Sequence, residues 1–302
     1  MADSHFVAIA GHRLHLRRFG PEQGVPALLL HGAISNGRVF YSDSGKGLAP
    51  YLAAQGFCTY VADLRGRGQS QPTIAERADH GQREAICDDL PALQQFIRAR
   101  HPTQPVHWLA HSWGGVLMAA TLVRYPQLAA QVASLTFFGS KRQIRSWSLE
   151  RLVKVELVWR RLAPYWARRY GYLPARQKGI GADDETPGSL ADSIHWVSSD
   201  QWRDAHDHFD YQQQAAKVAW PRLWMLAGQG DKALGNPADV ARFQQEMGAP
   251  GHLTILGKKQ GYGCNYDHLN MLVGAQASAE VFPQVNAWLA SAASPMPASS
   301  RR

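Results

Sequence analysis

The clearest chemical signal is a serine ahead of two glycines, in Ala110-His111-Ser112-Trp113-Gly114-Gly115. The strand-like run VHWLA leads into it and the helix-like run VLMAATLV leaves it. A nucleophile at such a junction occupies a sharp, strained turn, and small residues two before and two after let the turn close. The usual pattern has glycine on both sides; here the first position is Ala110, which is still small. Ser112 is therefore the candidate nucleophile. A plain Ser-x-Gly-Gly turn is the alternative, and the strand–turn–helix setting disfavours it.

A serine hydroxyl needs a base, and the base needs an orienting acid. Downstream of Ser112 the candidate acid is Asp231, in MLAGQGDKALGNP, a loop after an apolar strand. Asp204, Asp207, Asp210 and Asp267 compete with it. The candidate base is His268, in GCNYDHLNML, a late loop before the last helix. Upstream, LLLHGAISNG sets His31-Gly32-Ala33 directly after a strand. Such a loop supplies one backbone N–H to an oxyanion hole, and the residue after the nucleophile supplies the other. Those donors would be Ala33 and Trp113, with His31, Gly32 and Gly114 supporting the motif.

These residues need a scaffold that brings strand ends to one edge. Apolar runs at ALLL, FCTYVAD, VHWLA, VASLTFFGS, PRLWMLAG and HLTILG alternate with helical stretches. That alternation predicts an α/β fold with a mostly parallel sheet covered on both faces. The N-terminal alternation in HRLHLRRF predicts a short strand pair. GLAPYLAAQG reads as a helix closed by Gly56, and residues 83–100 as a helix that Pro91 kinks. A last helix is expected over 277–290. From 141 to about 215 the pattern breaks into helical and loop sequence without strand signals. The expected organisation is a core over 1–140 and 216–290, a helical cap or lid over 141–215, and a disordered tail over 291–302.

The order HGA, ADLRGRGQS, AHSWGG, GQGD, DH resembles the α/β-hydrolase superfamily over nearly the whole chain. Within it, GLAPYLAAQGFCTYVADLRGRGQS, GDKALGNPADV and YDHLNMLVGAQASAEVFP resemble landmarks of the acid (gastric and lysosomal) lipase-like branch. The resemblance implies ester hydrolysis beneath a helical cap. Its nucleophile, acid and base fall on Ser112, Asp231 and His268, and its oxyanion donors on Ala33 and Trp113. That branch usually has Gln after the serine, and this chain has Trp113, so the pocket wall differs. Polyhydroxyalkanoate synthases share part of the pattern but use Cys as nucleophile, and Ser112 argues against that activity.

With 302 residues and 45% hydrophobic composition, the chain can bury a large core. Cys58, Cys87 and Cys264 are odd in number and lack metal-ligand spacing, which fits a reducing, cytoplasmic setting. No signal peptide or membrane span is expected. The formal charge of +8 is concentrated: eleven Lys and Arg between Lys141 and Lys178 meet only Glu150 and Glu156. An amphipathic stretch there, SWSLERLVKVELVWRRLAPYWARRY, reads as a packed helix with a solvated basic face. It also suits a lid attracting an anionic or lipid-like substrate, with peripheral lipid contact. Nucleic-acid binding is a poor third choice, because no recognition motif accompanies the charge. His195, His206, His208 and Asp210 could ligate a metal but sit more simply on a polar cap face, so no metal and no cofactor is expected. The substrate expected is a carboxylic ester. Acyl transfer, thioester cleavage or polyester depolymerisation would use the same residues, and a silent binding or scaffold member would keep the fold without the chemistry.

Overall fold

The computed structural model describes residues 2–291. Eight strands form one sheet: β1 (Ala2–Ile9), β2 (His12–Phe19), β3 (Val25–Leu30), β4 (Phe57–Ala62), β5 (Val106–His111), β6 (Val132–Phe138), β7 (Leu223–Gly228) and β8 (Gly251–Leu256). Their order is β1-β2-β4-β3-β5-β6-β7-β8. β1 and β2 pair antiparallel, β2 joins β4 antiparallel, and every pairing from β4 across to β8 is parallel.

Strands of a sheet covered on both faces read as unbroken apolar runs, because successive side chains enter different cores. In β3, Leu28 and Leu30 enter the core that holds Trp108, Phe137 and Met225. Ala27 and Leu29 enter the opposite core, with Leu109, Phe138 and Trp224. Helix α1 (Leu48–Ala54) packs on the second face. α3 (Leu90–Arg100) and α4 (Trp113–Arg124) serve the first, with the short α2 (Gln82–Glu84) leading toward α3.

Between α2 and α3 the chain makes a π-helical turn, Ala85–Asp89. This is how the helix absorbs Pro91. Proline has no N–H for the carbonyl four residues back. That carbonyl belongs to Cys87, and the Tyr125 hydroxyl donates to it at 3.2 Å.

The segment between β6 and β7 contains α5 (Leu149–Arg151), a π-helical stretch Leu152–Leu162, α6 (Ala163–Tyr170), α7 (Pro187–Ser198) and α8 (Tyr211–Ala215). It is tied to the rest of the fold at its start and in its middle. Arg142 donates from Nε to Glu246 at 2.7 Å and from Nη1 to the Trp196 carbonyl at 2.7 Å. Farther along, Glu185 pairs with Arg67 and accepts the Ile34 N–H at 3.3 Å. Asp183 accepts from Asn36 Nδ2 at 3.0 Å and from the Gly68 N–H at 2.6 Å.

After β7 come α9 (Pro237–Met247), α10 (Asn270–Val273), α11 (Ala277–Glu280) and α12 (Phe282–Ser291). The single helix expected over 277–290 is thus two, because Pro283 cannot donate to the turn before it. Ser291 ends α12 rather than opening a tail, and positions 292–302 lie outside the described residues. No helix among the described residues is long and apolar enough to cross a membrane.

Asp63, directly after β4, ties two loops to strand β2. Its carboxylate accepts from His15 Nδ1 at 2.8 Å, the Gly37 N–H at 2.7 Å and the Gln69 N–H at 3.0 Å. Burial pushes this carboxyl up, but the His15 hydrogen bond, the His31 imidazole and those N–H donors outweigh it and hold it below the ordinary value. Asp63→Asn would turn an amide toward donors. It is expected to cost about 3 kcal/mol of stability, read as a lower urea midpoint at unchanged slope.

Candidate active site

The C-terminal edge of the parallel strands gathers the sequence-predicted residues. The His31-Gly32-Ala33 loop leaves β3, Ser112 leaves β5, and Asp231 follows β7. His268 comes in from the loop beyond β8. β3 and β5 are neighbours, while β4 lies on the other side of β3. Chain direction across the sheet therefore reverses at β3, where ligands of open α/β sheets bind.

Ser112 has φ 53° and ψ −123°, a conformation L residues rarely adopt. Such a residue costs about 1–3 kcal/mol and persists only where its surroundings fix it. Here its N–H donates to the Phe138 carbonyl at 2.7 Å, and α4 begins at the next residue. A side chain at Gly115 would collide with Ser140, so the turn and β6 pack tightly only with glycine there. Ala110, the departure from the usual motif, lies fully buried in the first core, which accommodates its methyl.

Ser112 Oγ is 2.8 Å from His268 Nε2, and His268 Nδ1 is 2.6 Å from Asp231 Oδ2. The other carboxylate oxygen, Oδ1, accepts the Leu234 N–H at 2.9 Å. Burial pushes the Asp231 carboxyl up, but the His268 hydrogen bond, the charges of His268 and Lys141, and the Leu234 N–H win and hold it at about 2. Burial lowers the pKa of His268 below its ordinary 6.5, against the opposing pull of Asp231. The imidazole is thus neutral near pH 7 and can take a proton from the serine.

The competing acids do other work. Asp204 and Asp207 pair with Arg124, and Asp210 pairs with Arg203. Asp267 adjoins His268 in sequence, yet its carboxylate caps the Leu269 and Asn270 N–H groups at 2.9 and 2.8 Å. In the polar His/Asp stretch, His206 meets Asp192 at 3.4 Å.

On the β3 side, a Cβ added to Gly32 would lie 2.8 Å from Ser112 Cβ and 3.3 Å from the Trp113 nitrogen. Only glycine permits that approach. His31 sets the loop's orientation. Its Nε2 accepts the Leu64 N–H at 3.2 Å, so Nδ1 carries the proton and donates to the Gly32 carbonyl at 2.8 Å. Burial, and then the charge of Arg67, lowers this imidazole to about 4, so it stays neutral. Among the described residues, neither the Ala33 nor the Trp113 N–H makes a hydrogen bond, leaving both donors open. The Trp113 ring is buried; its Nε1 donates to Gln82 at 3.3 Å, and it packs on Trp196 of α7 at 6.3 Å.

Two neighbours carry no signal in the sequence motifs. His111 donates from Nε2 to the His268 carbonyl at 2.9 Å and so fixes the backbone of His268. Burial, and then the charge of His268, lowers it to about 3. Lys141, three residues past β6, puts Nζ 3.5 Å from Ser112 Oγ. All of these groups open on a cavity of about 970 Å³, whose other walls include Ile34, Ile144, Val155, Trp159, Ile180 and Leu234.

Sheet order, the strained turn at Ser112 and the edge that collects these loops define an α/β-hydrolase. The chain belongs to the hydrolase family described as serine aminopeptidase, S33, whose model matches residues 27–256. Solved structures agree on the fold. A thermophilic esterase from Thermogutta terrifontis superposes with TM-score 0.63 at 18% identity, over 97% of this chain and 100% of that one. An esterase from a Rhodococcus species gives TM-score 0.60 at 16% identity, over 96% and 98% of the two chains. A haloalkane dehalogenase from Bradyrhizobium elkani gives 0.58 at 18% identity, over 97% and 99%. One scaffold thus carries different reactions, and the chemistry must be argued from the site.

Proposed function

We propose that this hydrolase cleaves carboxylic esters through a Ser112–His268–Asp231 triad and an acyl-enzyme. The observation that carries this reading is the continuous relay of 2.8 and 2.6 Å contacts opening on a largely apolar cavity. Ser112 Oγ adds to the ester carbonyl carbon while His268 Nε2 takes the hydroxyl proton. The carbonyl electron pair moves onto its oxygen, which the Ala33 and Trp113 N–H groups receive. As the pair returns, the bond to the alcohol oxygen breaks and His268 delivers its proton to the leaving alcohol. Water then repeats the sequence on the acyl-enzyme, releasing the carboxylic acid and restoring the serine. Asp231 keeps Nδ1 protonated and stabilises the imidazolium.

In this reading residues 141–215 form the cap. Val155, Val158 and Trp159 of its π-helical stretch wall the cavity, which supports an apolar acyl group and the acid lipase-like pattern. Trp147, Leu149, Leu152 and Val153 are exposed on the same basic stretch, which supports peripheral contact with an anionic lipid surface. The three cysteines are free, which supports a reducing compartment.

The test is a panel of para-nitrophenyl esters of graded acyl length, with fluorophosphonate labelling located by mass spectrometry. Turnover is expected with label on Ser112. Because protonated His268 cannot act as base, kcat/KM should fall as pH drops through the lowered imidazole pKa, with its midpoint below 6.5. A chain that neither turns over any ester nor takes the label would overturn the reading. Thioester cleavage and acyl transfer share these residues, and product analysis with alcohol and amine acceptors separates them.

A further inference from the structure

Lys141 is a buried cation without a counter-charge, and it stands beside the nucleophile. The residue is 5% exposed. An ammonium has three protons to donate, and a buried one is costly unless paired. Among the described residues its one hydrogen-bond contact is Ser112 Oγ, at a long 3.5 Å. The two acids whose charge acts on it are Asp231 and Asp239, and both are already engaged. Asp231 serves His268 and the Leu234 N–H. Asp239 accepts the Arg145 N–H at 3.0 Å and Arg242 at 2.7 Å. Glu150, on the cavity wall, pairs with Lys154 at 2.7 Å. His111 faces the same cavity with Nδ1 buried and unpartnered.

Sheet order separates Lys141 from the oxyanion loop. β5 lies between β3 and β6, so the Gly32-Ala33 loop and Lys141 flank Ser112 from opposite sides. A group on Lys141 therefore belongs to another part of the substrate than the carbonyl oxygen. With Nζ so close to Oγ, that part lies within a few bonds of the reacting carbon.

We propose that Lys141 binds a carboxylate carried by the substrate, so that the site prefers esters with an anionic group a few bonds from the scissile carbonyl and an apolar remainder. This rests on the ester-hydrolase reading above. It gives the ammonium the missing partner and uses the walls of the cavity for the rest of the molecule. Burial draws the ammonium down to about 8, against the pull of Asp231 and Asp239. It is mostly charged at pH 7, and the charge is lost as pH rises through about 8. The other titratable groups coupled to it are His111 and His268. Glu150 and Lys154 also line the cavity.

The experiment compares matched esters on the full chain. Mono-para-nitrophenyl glutarate against para-nitrophenyl valerate places the carboxylate in the acyl part. The butyryl ester of β-hydroxypropanoate against propyl butyrate places it in the alcohol part. At least one charged probe is expected to exceed its neutral partner by about 10- to 100-fold in kcat/KM, the range for a charge-assisted contact in a buried site. Whichever pair responds assigns the side. The preference should decline as pH rises past about 8 and collapse in Lys141→Met. Equal rates on charged and neutral probes with wild type would overturn the proposal. So would a Met variant that loses both alike, since that would place Lys141 at the developing oxyanion. Fluorophosphonate labelling of the variant checks that its site is intact; if it is not, the wild-type preference and its pH course decide alone. Ester turnover that survives Ser112→Ala would instead sink the triad reading, so the two failures are distinguishable.

Discussion

Ser112→Ala is expected to lower kcat on a neutral para-nitrophenyl ester by about 10⁶-fold, the loss found when a nucleophile that acts as a unit with its base is removed. The fold should survive. The turn is held by the Phe138 carbonyl and the start of α4, neither of which uses the hydroxyl. Alanine keeps the Cβ already present at φ 53°. Melting temperature and circular dichroism should therefore match wild type while the fluorophosphonate label disappears. Retention of more than a few per cent of the activity would sink the triad reading.

Asp231→Asn is expected to cost about 10⁴-fold in kcat with little change in shape. The direction of the hydrogen bonds decides this. Asp231 Oδ1 accepts the Leu234 N–H, so an asparagine would keep its carbonyl oxygen there and turn its amide toward His268 Nδ1. The imidazole proton would then move to Nε2, the atom that faces Ser112 at 2.8 Å, and the base would be blocked. Single-turnover acylation should slow by the same factor as kcat. A variant within tenfold of wild type would mean that His268 does not depend on Asp231 for its tautomer.

The parts of the site legible in sequence are those whose signal is local. Strand, turn and helix are contiguous around Ser112, and the His31-Gly32-Ala33 loop follows its strand directly. Lys141 is different. In sequence it is the first of eleven basic residues and falls at the start of the expected cap. Only the adjacency of β5 and β6 brings it to the serine. His111 sits inside the Ser112 motif, but its contact is the backbone of a residue 157 positions away. The prolines mark irregularities without fixing their form. Pro91 yields a π-helical turn because Tyr125 is placed to take the Cys87 carbonyl, whereas Pro283 simply separates two helices.

The acidic clasp formed by Asp183 and Glu185 bears on how such a chain can change. Glu185 holds the Ile34 N–H, and Asp183 holds Asn36. The loop following Gly32 and Ala33 is thus braced by residues about 150 positions downstream. The intervening segment is therefore not an interchangeable cassette. A graft that brought new cavity walls without an equivalent clasp would also loosen the loop proposed to receive the oxyanion. On the proposed mechanism, substrate range and catalytic power are mechanically linked, and single substitutions inside the cavity are the less disruptive route to a new specificity.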